Sequence, residues 1–448
     1  MTRFKMASPD DIRANFAAAL SKMYQSEVPQ YGTLLELVSE INQQEINNGQ
    51  PYHDPQHRIE VERHGAIRLG LESELATIRR LFTVMGMQAV GYYDLTVAGL
   101  PVHATGFRPI SLESLQRNPF RVFTSLLRLD LIQDESLREQ AKRILERRTI
   151  FTPRCIELIE QFENQGGLTE EAAREFVRES LETFRWHETS TVDLATYKAL
   201  ESNHPLIADV VCFKGPHINH LTPRVLDIDA AQVAMQERGL QAKSTIEGPP
   251  RRKNLILLRQ TSFLALEEEV AFSNGAERGG KHRARFGEIE QRGIALTPKG
   301  RRLYDELLIT SKQYIVDGPH DSQEVALAQS FAEFPDDLET LRQERLAYFR
   351  YVVQDYTRAT STPTDIDALV RCGALSVEPI TYEDFLPASA AGIFHSNLGD
   401  GEKSGQSASS DQSSFEKALG CSIHQPFDLY DALERLSIAK CLKTLAKE

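Results

Sequence analysis

The chain has 448 residues, enough for about three packing units at roughly 150 residues each. Its 26% charged and 41% hydrophobic residues are ordinary globular values and exclude disorder of the whole chain. With 51 Lys and Arg against 64 Asp and Glu, the formal charge of −13 argues against phosphate-backbone binding and requires a local cation for any anionic ligand.

Residues 1–50 read as helices, opened by the capping sequence Ser8-Pro9-Asp10-Asp11. Residues 51–110 read as a first strand, helix and hairpin. The strand spans Ile59 to Leu69, Ser73 is the expected N-cap, and the helix Glu74 to Met85 closes at Gly86. Strands 89–96 and 102–110 follow, around the turn Ala98-Gly99-Leu100-Pro101. Residues 111–210 read as a helical insertion. Residues 211–300 return to the first pattern: a strand 215–226, Asp229 as N-cap, a helix Ala230 to Arg238 closed by Gly239, and strands 254–266 and 283–296. Residues 301–448 read as mostly helical, for example Asp337 to Tyr356. Within them, 381–399 is apolar and expected to pack inside and close the pocket, and 400–414 has the composition of a flexible loop.

The two strand-helix units align. His64 and His220 are each followed by Arg at i+4 and by the expected N-cap at i+9, with the closing glycine 22 and 19 residues on. Two such units pair their curved sheets about a pseudo-twofold axis into a cup, where inward-facing residues converge. The five cysteines are scattered, with no CxxC, so neither a disulfide framework nor a structural zinc site is expected. No apolar run reaches membrane-spanning length and MTRFKMASPDD lacks a secretory core, so the expectation is a soluble cytoplasmic protein without membrane or nucleic-acid partners. Oligomeric state is left open.

His64, Ala66 and Arg68 share one face of a strand, His220 and Arg224 share another, and Phe286, Glu288 and Glu290 share a third. Two imidazoles and a carboxylate form a set that suits a non-haem Fe(II) with three open positions. Spacing alone leaves open whether these are ligands or paired structural residues, and which carboxylate is meant.

The runs ERHGAIRLG (62–70), GPHINHLTPRVLDID (215–229), RFGEIEQRGIALTPKGRRLYD (285–305) and YEDFLPASAAGIFHSNLG (382–399) closely resemble the 2-oxoadipate dioxygenase/decarboxylase (hydroxyglutarate synthase) family. The resemblance covers essentially the whole chain. More distantly, FGEIEQR resembles the last-strand motif of the hydroxyphenylpyruvate dioxygenases.

The resemblance implies an α+β fold of the vicinal-oxygen-chelate type. Paired βαβββ units would build the cup, with large helical insertions and a helical C-terminal region. It implies Fe(II) on His64, His220 and Glu288, the last being the Glu two residues after the Phe of the motif. Arg68 would meet the substrate's far carboxylate. Ala388 and Ser389 would close the pocket from the C-terminal side, and Trp186-His187 would supply a further wall. The implied reaction turns 2-oxoadipate and O2 into 2-hydroxyglutarate and CO2, plausibly in lysine catabolism. Arg68 lies four residues along the strand from His64, about 13 Å at 3.3 Å per residue, which suits a C6 diacid held at both ends. Two other readings compete: a non-redox metal-dependent lyase or isomerase on the same fold, and a non-catalytic binding protein.

Overall fold

The structure is a computed structural model. It describes residues 5–49, 54–243, 245–263, 268–272, 278–282, 285, 287–317, 323–358, 365–386 and 405–446. Strand β1 (Arg63–Leu69) organises the sheet because both of its edges are paired. It runs parallel to β4 (Arg121–Leu127) on one side and antiparallel to β5 (Leu221–Pro223) on the other. Beyond β4 lie β3 (Val102–Arg108) and then β2 (Gln88–Asp94), giving the order β2-β3-β4-β1-β5. On the far side, Arg224 bridges in parallel to Glu290, which joins β5 to the strand Gly287–Arg292. That strand pairs with β6 (Leu258–Phe263), and β6 is bridged in turn by Ala242 and Glu247. Numbering on, β7 (Glu268–Ala271) and β8 (Arg278–His282) form an inserted hairpin, and Gly287–Arg292 is β9.

Alternation along β1 divides two cores. Ile67 and Leu69 pack with Leu75, Ile78, Phe82 and Phe107 under the helix Glu72–Val84. Ala66, between His64 and Arg68, packs with Ala104, Phe123 and Phe385 on the opposite face. Gly65 permits a close crossing: a Cβ there would stand 2.6 Å from Ile218 Cδ1 and 2.9 Å from the His220 carbonyl.

Both helix starts differ from the sequence reading in the same way. The N-caps are Leu71 and Asp227, each seven residues after its histidine, and not Ser73 and Asp229. In the first, Glu74 Oε2 accepts the backbone N–H groups of Gly70 (2.8 Å) and Leu71 (3.2 Å), so a glutamate reaching back does the work expected of a serine. In the second, Asp227 Oδ1 accepts from the Asp229 and Ala230 N–H groups, both at 3.0 Å. Both helices close as expected, with left-handed Gly86 (φ 67°) and Gly239 (φ 75°).

Other expectations are corrected. Residues 56–61 form a short helix, so β1 starts at Arg63. β4 lies in the stretch read as helical; its residues are buried on both faces, which removes the alternating signature. β5 is only three residues long within the expected strand 215–226, and Pro223 has no N–H with which to extend the ladder. The segment read as a helix from Asp337 to Tyr356 is helical only over Leu338–Gln343. It then forms the strand Phe349–Val353, paired with Leu375–Pro379. Part of the expected loop 400–414 belongs to the helix Gly405–Leu419, anchored by buried Phe415 and Leu419 in the main core. Among the described residues, no helix is long and apolar enough to cross a membrane.

Candidate metal centre

β1, β5 and β9 meet at one point, and each brings one polar side chain to it. His64 comes from β1, His220 from the residue before β5, and Glu288 from β9. All are buried, and one donor atom of each lies within 4.8 Å of the others. His64 Nε2 is 3.4 Å and His220 Nδ1 3.1 Å from Glu288 Oε2. The imidazoles meet edge to face with centroids 5.2 Å apart, and Phe385 packs edge-on against His64 at 5.3 Å. Two neighbours aim the carboxylate: Thr222 Oγ1 donates to Oε2 (2.9 Å) and Gln260 Nε2 donates to Oε1 (3.0 Å). Among the described residues none hydrogen-bonds either ring nitrogen of His64 with good geometry, although each faces a carboxylate, and a buried ring nitrogen so placed fits a cation site. Two imidazoles and one carboxylate form a donor set for a divalent transition-metal ion.

Glu290, two residues along the same face, stands behind the first histidine: its Oε2 is 3.0 Å from His64 Nδ1. Burial works against protonation of His64, yet Glu290 and Glu288 outweigh it and hold its pKa above the ordinary value. A divalent cation held there would take the place of that proton. Arg292 grips Glu290 with two bonds of 2.8 Å. Burial alone would raise the Glu290 pKa, but Arg292 and His64 bring it down to about 2. Such carboxylate–histidine pairs fix the ring and its tautomer, and their loss weakens metal binding by about 10–100-fold. Glu290→Gln is therefore expected to lower metal affinity by that factor and also to lower stability, because buried Arg292 loses the charge of its partner; competition against a chromogenic chelator and urea unfolding check the two effects.

Below this layer lies a lattice of buried charges. Arg121 meets Glu62 (2.7 Å) and Glu383; Arg224 meets Glu62 (2.9 Å) and Asp54 (2.7 Å). Arg58 meets Asp54 (2.9 Å) and Glu383 (2.6 Å). Arg108 holds Asp384 at 2.7 Å, and Tyr430 donates to the same carboxylate at 2.6 Å. Arg224, placed by its sequence beside His220, thus belongs to the scaffold of the centre and not to its opening.

Arg68 leaves the same face of β1 as His64, and its Nη1 meets Asp209 Oδ2 at 2.6 Å. His187 is not brought to the centre. It lines an outer cleft with Arg185, Lys214 and Arg285, and burial together with Lys214 lowers its pKa. Its neighbour Trp186 turns inward onto His217, with ring centroids 4.7 Å apart. Ala388 and Ser389 lie outside the described residues. Sequence reasoning missed Asp209, His217 and His282, which gather beside Arg68 from distant segments. The one local signal available for them is the run His217-Ile218-Asn219-His220, which sets a second histidine three residues before His220.

Residues 16–397 match the protein family of 2-oxoadipate dioxygenase/decarboxylase. The proteins of that name from Escherichia coli and Pseudomonas putida are both 53% identical to this chain. The alignments cover 96% and 98% of it, and 98% and 97% of those proteins. The hydroxyglutarate synthase of Pseudomonas putida, solved in complex with 2-oxoadipate, superimposes with a TM-score of 0.91 at 52% identity, over 98% of this chain and 99% of that one. With matches that span nearly the full length of both partners, the chain belongs to the 2-oxoadipate dioxygenase/decarboxylase family, a family of oxidoreductase enzymes.

Proposed function

We propose that the chain converts 2-oxoadipate and O2 to 2-hydroxyglutarate and CO2 at an Fe(II) centre held by His64, His220 and Glu288. The observation that carries the reading is the buried triad itself, with its donors within 4.8 Å of one another in a chain of this family. The strand order supports a paired βαβββ fold of the vicinal-oxygen-chelate type. Outward from the β1–β5 junction, each half runs first strand, last, third and second, with the stretch around 242–247 as the second strand of the second half.

Bound there, Fe(II) supplies redox chemistry with O2 and a Lewis-acidic grip on the 2-oxo acid. The rest falls to the protein. Two neutral imidazoles and one carboxylate leave a divalent ion with one positive charge, which favours an anionic chelator. Thr222 and Gln260 hold Glu288 in one orientation, and Phe385 covers the His64 ring against water. Arg68 receives the far carboxylate. The reaction balances without an external reductant: C1 leaves as CO2, and both atoms of O2 end in the hydroxy acid, one in the new carboxylate and one in the new hydroxyl. The test is oxygen uptake by protein loaded anaerobically with Fe(II) and given 2-oxoadipate. One equivalent of 2-hydroxyglutarate per O2 is expected; no uptake, or uptake without this product, overturns the reading.

A guanidinium binds carboxylate through charge-assisted bonds of about 1.5–3 kcal/mol each. Arg68→Ala is therefore expected to raise KM for 2-oxoadipate roughly 30- to 150-fold, about 2–3 kcal/mol, with metal affinity retained. Steady-state kinetics beside a metal titration check it, and unchanged KM removes Arg68 from the site.

A further inference from the structure

Arg68 is the end of a chain of buried polar contacts that the reaction itself does not require. Asp209, on the helix Pro205–Val211, is nearly fully buried and places one oxygen on Arg68 Nη1 at 2.6 Å. Its other oxygen is 2.9 Å from His282 Nε2 and 3.4 Å from His217 Nε2. The second ring nitrogen of His282 lies 2.9 Å from the Tyr197 hydroxyl. Trp186 stacks parallel to the His282 ring at 6.0 Å and meets His217 edge-on, with the Arg285 guanidinium 5.1 Å over its own face. Asn219, oriented so that its nitrogen donates to the Ala66 carbonyl, accepts from the same Arg68 Nη1 at 3.0 Å. The carboxylate is thus clamped by groups from three separate segments. Arg68, Asp209's first counter-charge, and the histidines outweigh burial and keep its pKa far below the usual range.

These contacts restrain one side of the guanidinium. All hydrogen bonds of Arg68 to described residues run through Nη1, which leaves the edge formed by Nη2 and Nε for a second anion. An unrestrained arginine side chain has wide rotamer freedom, and its head group sweeps several ångströms. A head group pinned at one nitrogen presents its free edge at a single distance from the metal centre.

We propose that Asp209, held by His282, is a positioning residue that fixes the distance between Arg68 and the metal centre and so selects the length of the 2-oxo diacid. This rests on the reading of Arg68 as the group that receives the far carboxylate. With the head group fixed, a diacid one methylene shorter or longer fails to satisfy both ends, whereas a mobile head group adjusts to each.

The test uses the full-length Fe(II) protein and compares C5, C6 and C7 2-oxo diacids with 2-oxohexanoate, which has no far carboxylate. kcat/KM is measured for each, and binding of the diacids is followed anaerobically by calorimetry. Asp209→Asn is expected to flatten the preference for the C6 diacid about tenfold in both measurements, to change turnover of 2-oxohexanoate less than twofold, and to leave metal affinity intact. An unchanged C6 preference, or an equal fall for all substrates, overturns the proposal. His282→Gln, which releases the other oxygen of Asp209, is expected to shift the preference in the same direction and serves if Asp209→Asn does not fold. Arg68→Lys separates the two levels. If it leaves the preference intact, the role of Arg68 fails and this proposal with it. If it flattens the preference while Asp209→Asn and His282→Gln do not, the positioning role alone fails.

Discussion

Replacing Glu288 by Ala is expected to remove the bound metal and lower kcat/KM by more than about 10³-fold, on the order of 4 kcal/mol of transition-state stabilisation. Glu288 is the anion of the triad, with both imidazoles within 3.4 Å of one of its oxygens. Without it a divalent ion faces two neutral rings in a buried site and keeps its full charge, which a low-dielectric interior disfavours. The fold is not expected to follow, because Glu288 sits among hydrogen-bonding groups and imidazoles that can give up a proton when the carboxylate is removed, and not among buried guanidinium groups. The readouts are metal content after dialysis, oxygen uptake, and the rise in Tm on adding metal, which should be present in the wild type and absent in the variant. Glu288→Asp keeps the charge but withdraws it by one methylene, so partial metal binding is expected. A Glu288→Ala protein that retains metal and turnover shifts the ligand role to Glu290.

The largest expected loss of stability comes from Glu62, which never touches the metal site. It is fully buried among Arg121, Arg224, Arg292 and Arg58, at 2.7, 2.9, 3.5 and 3.6 Å. Burial alone would raise its pKa, but those guanidinium groups hold it well below the usual carboxylate range. Removing one partner from a buried ion pair costs about 3–5 kcal/mol, because the opposite charge stays behind without compensation. Glu62→Gln is expected to lose that amount at neutral pH, measured by urea unfolding. The sign of its pH dependence is fixed by the depressed pKa. The stabilisation by ionised Glu62 is complete above the unfolded-state value of about 4.3 and is lost as pH falls through the folded value. The difference between wild type and variant should therefore narrow below about pH 4, and a difference that is constant with pH would remove Glu62 as its source.

The centre was more legible in sequence than the elements around it. His64 and Arg68 fall on one face by simple alternation, and the two histidines share their sequence surroundings, so even the misplaced N-caps were misplaced by the same two residues. Alternation could not separate Glu288 from Glu290, because both face the same way. The structure places one between the imidazoles and the other behind His64. β4 was hidden because a strand covered on both sides loses its period. Asp209 and His282 were hidden for another reason: their contacts link Arg68 to residues 141 and 73 positions apart in turn, and no local pattern encodes such a meeting.

The buried charge lattice also orders events during synthesis. Arg58 and Glu383 are 325 residues apart, and Arg108 and Asp384 are 276 apart. On the ribosome, the side chains of the triad all emerge before the anions that complete the layer beneath them. At about 5–20 residues per second, the stretch from Glu288 to Glu383 takes roughly 5–20 s to translate. During that interval Arg108 lacks Asp384, and Arg58 and Arg121 have Asp54 and Glu62 but not yet Glu383. A chain released before Glu383 therefore carries the three metal-facing side chains over a lattice from which Glu383 and Asp384 are absent.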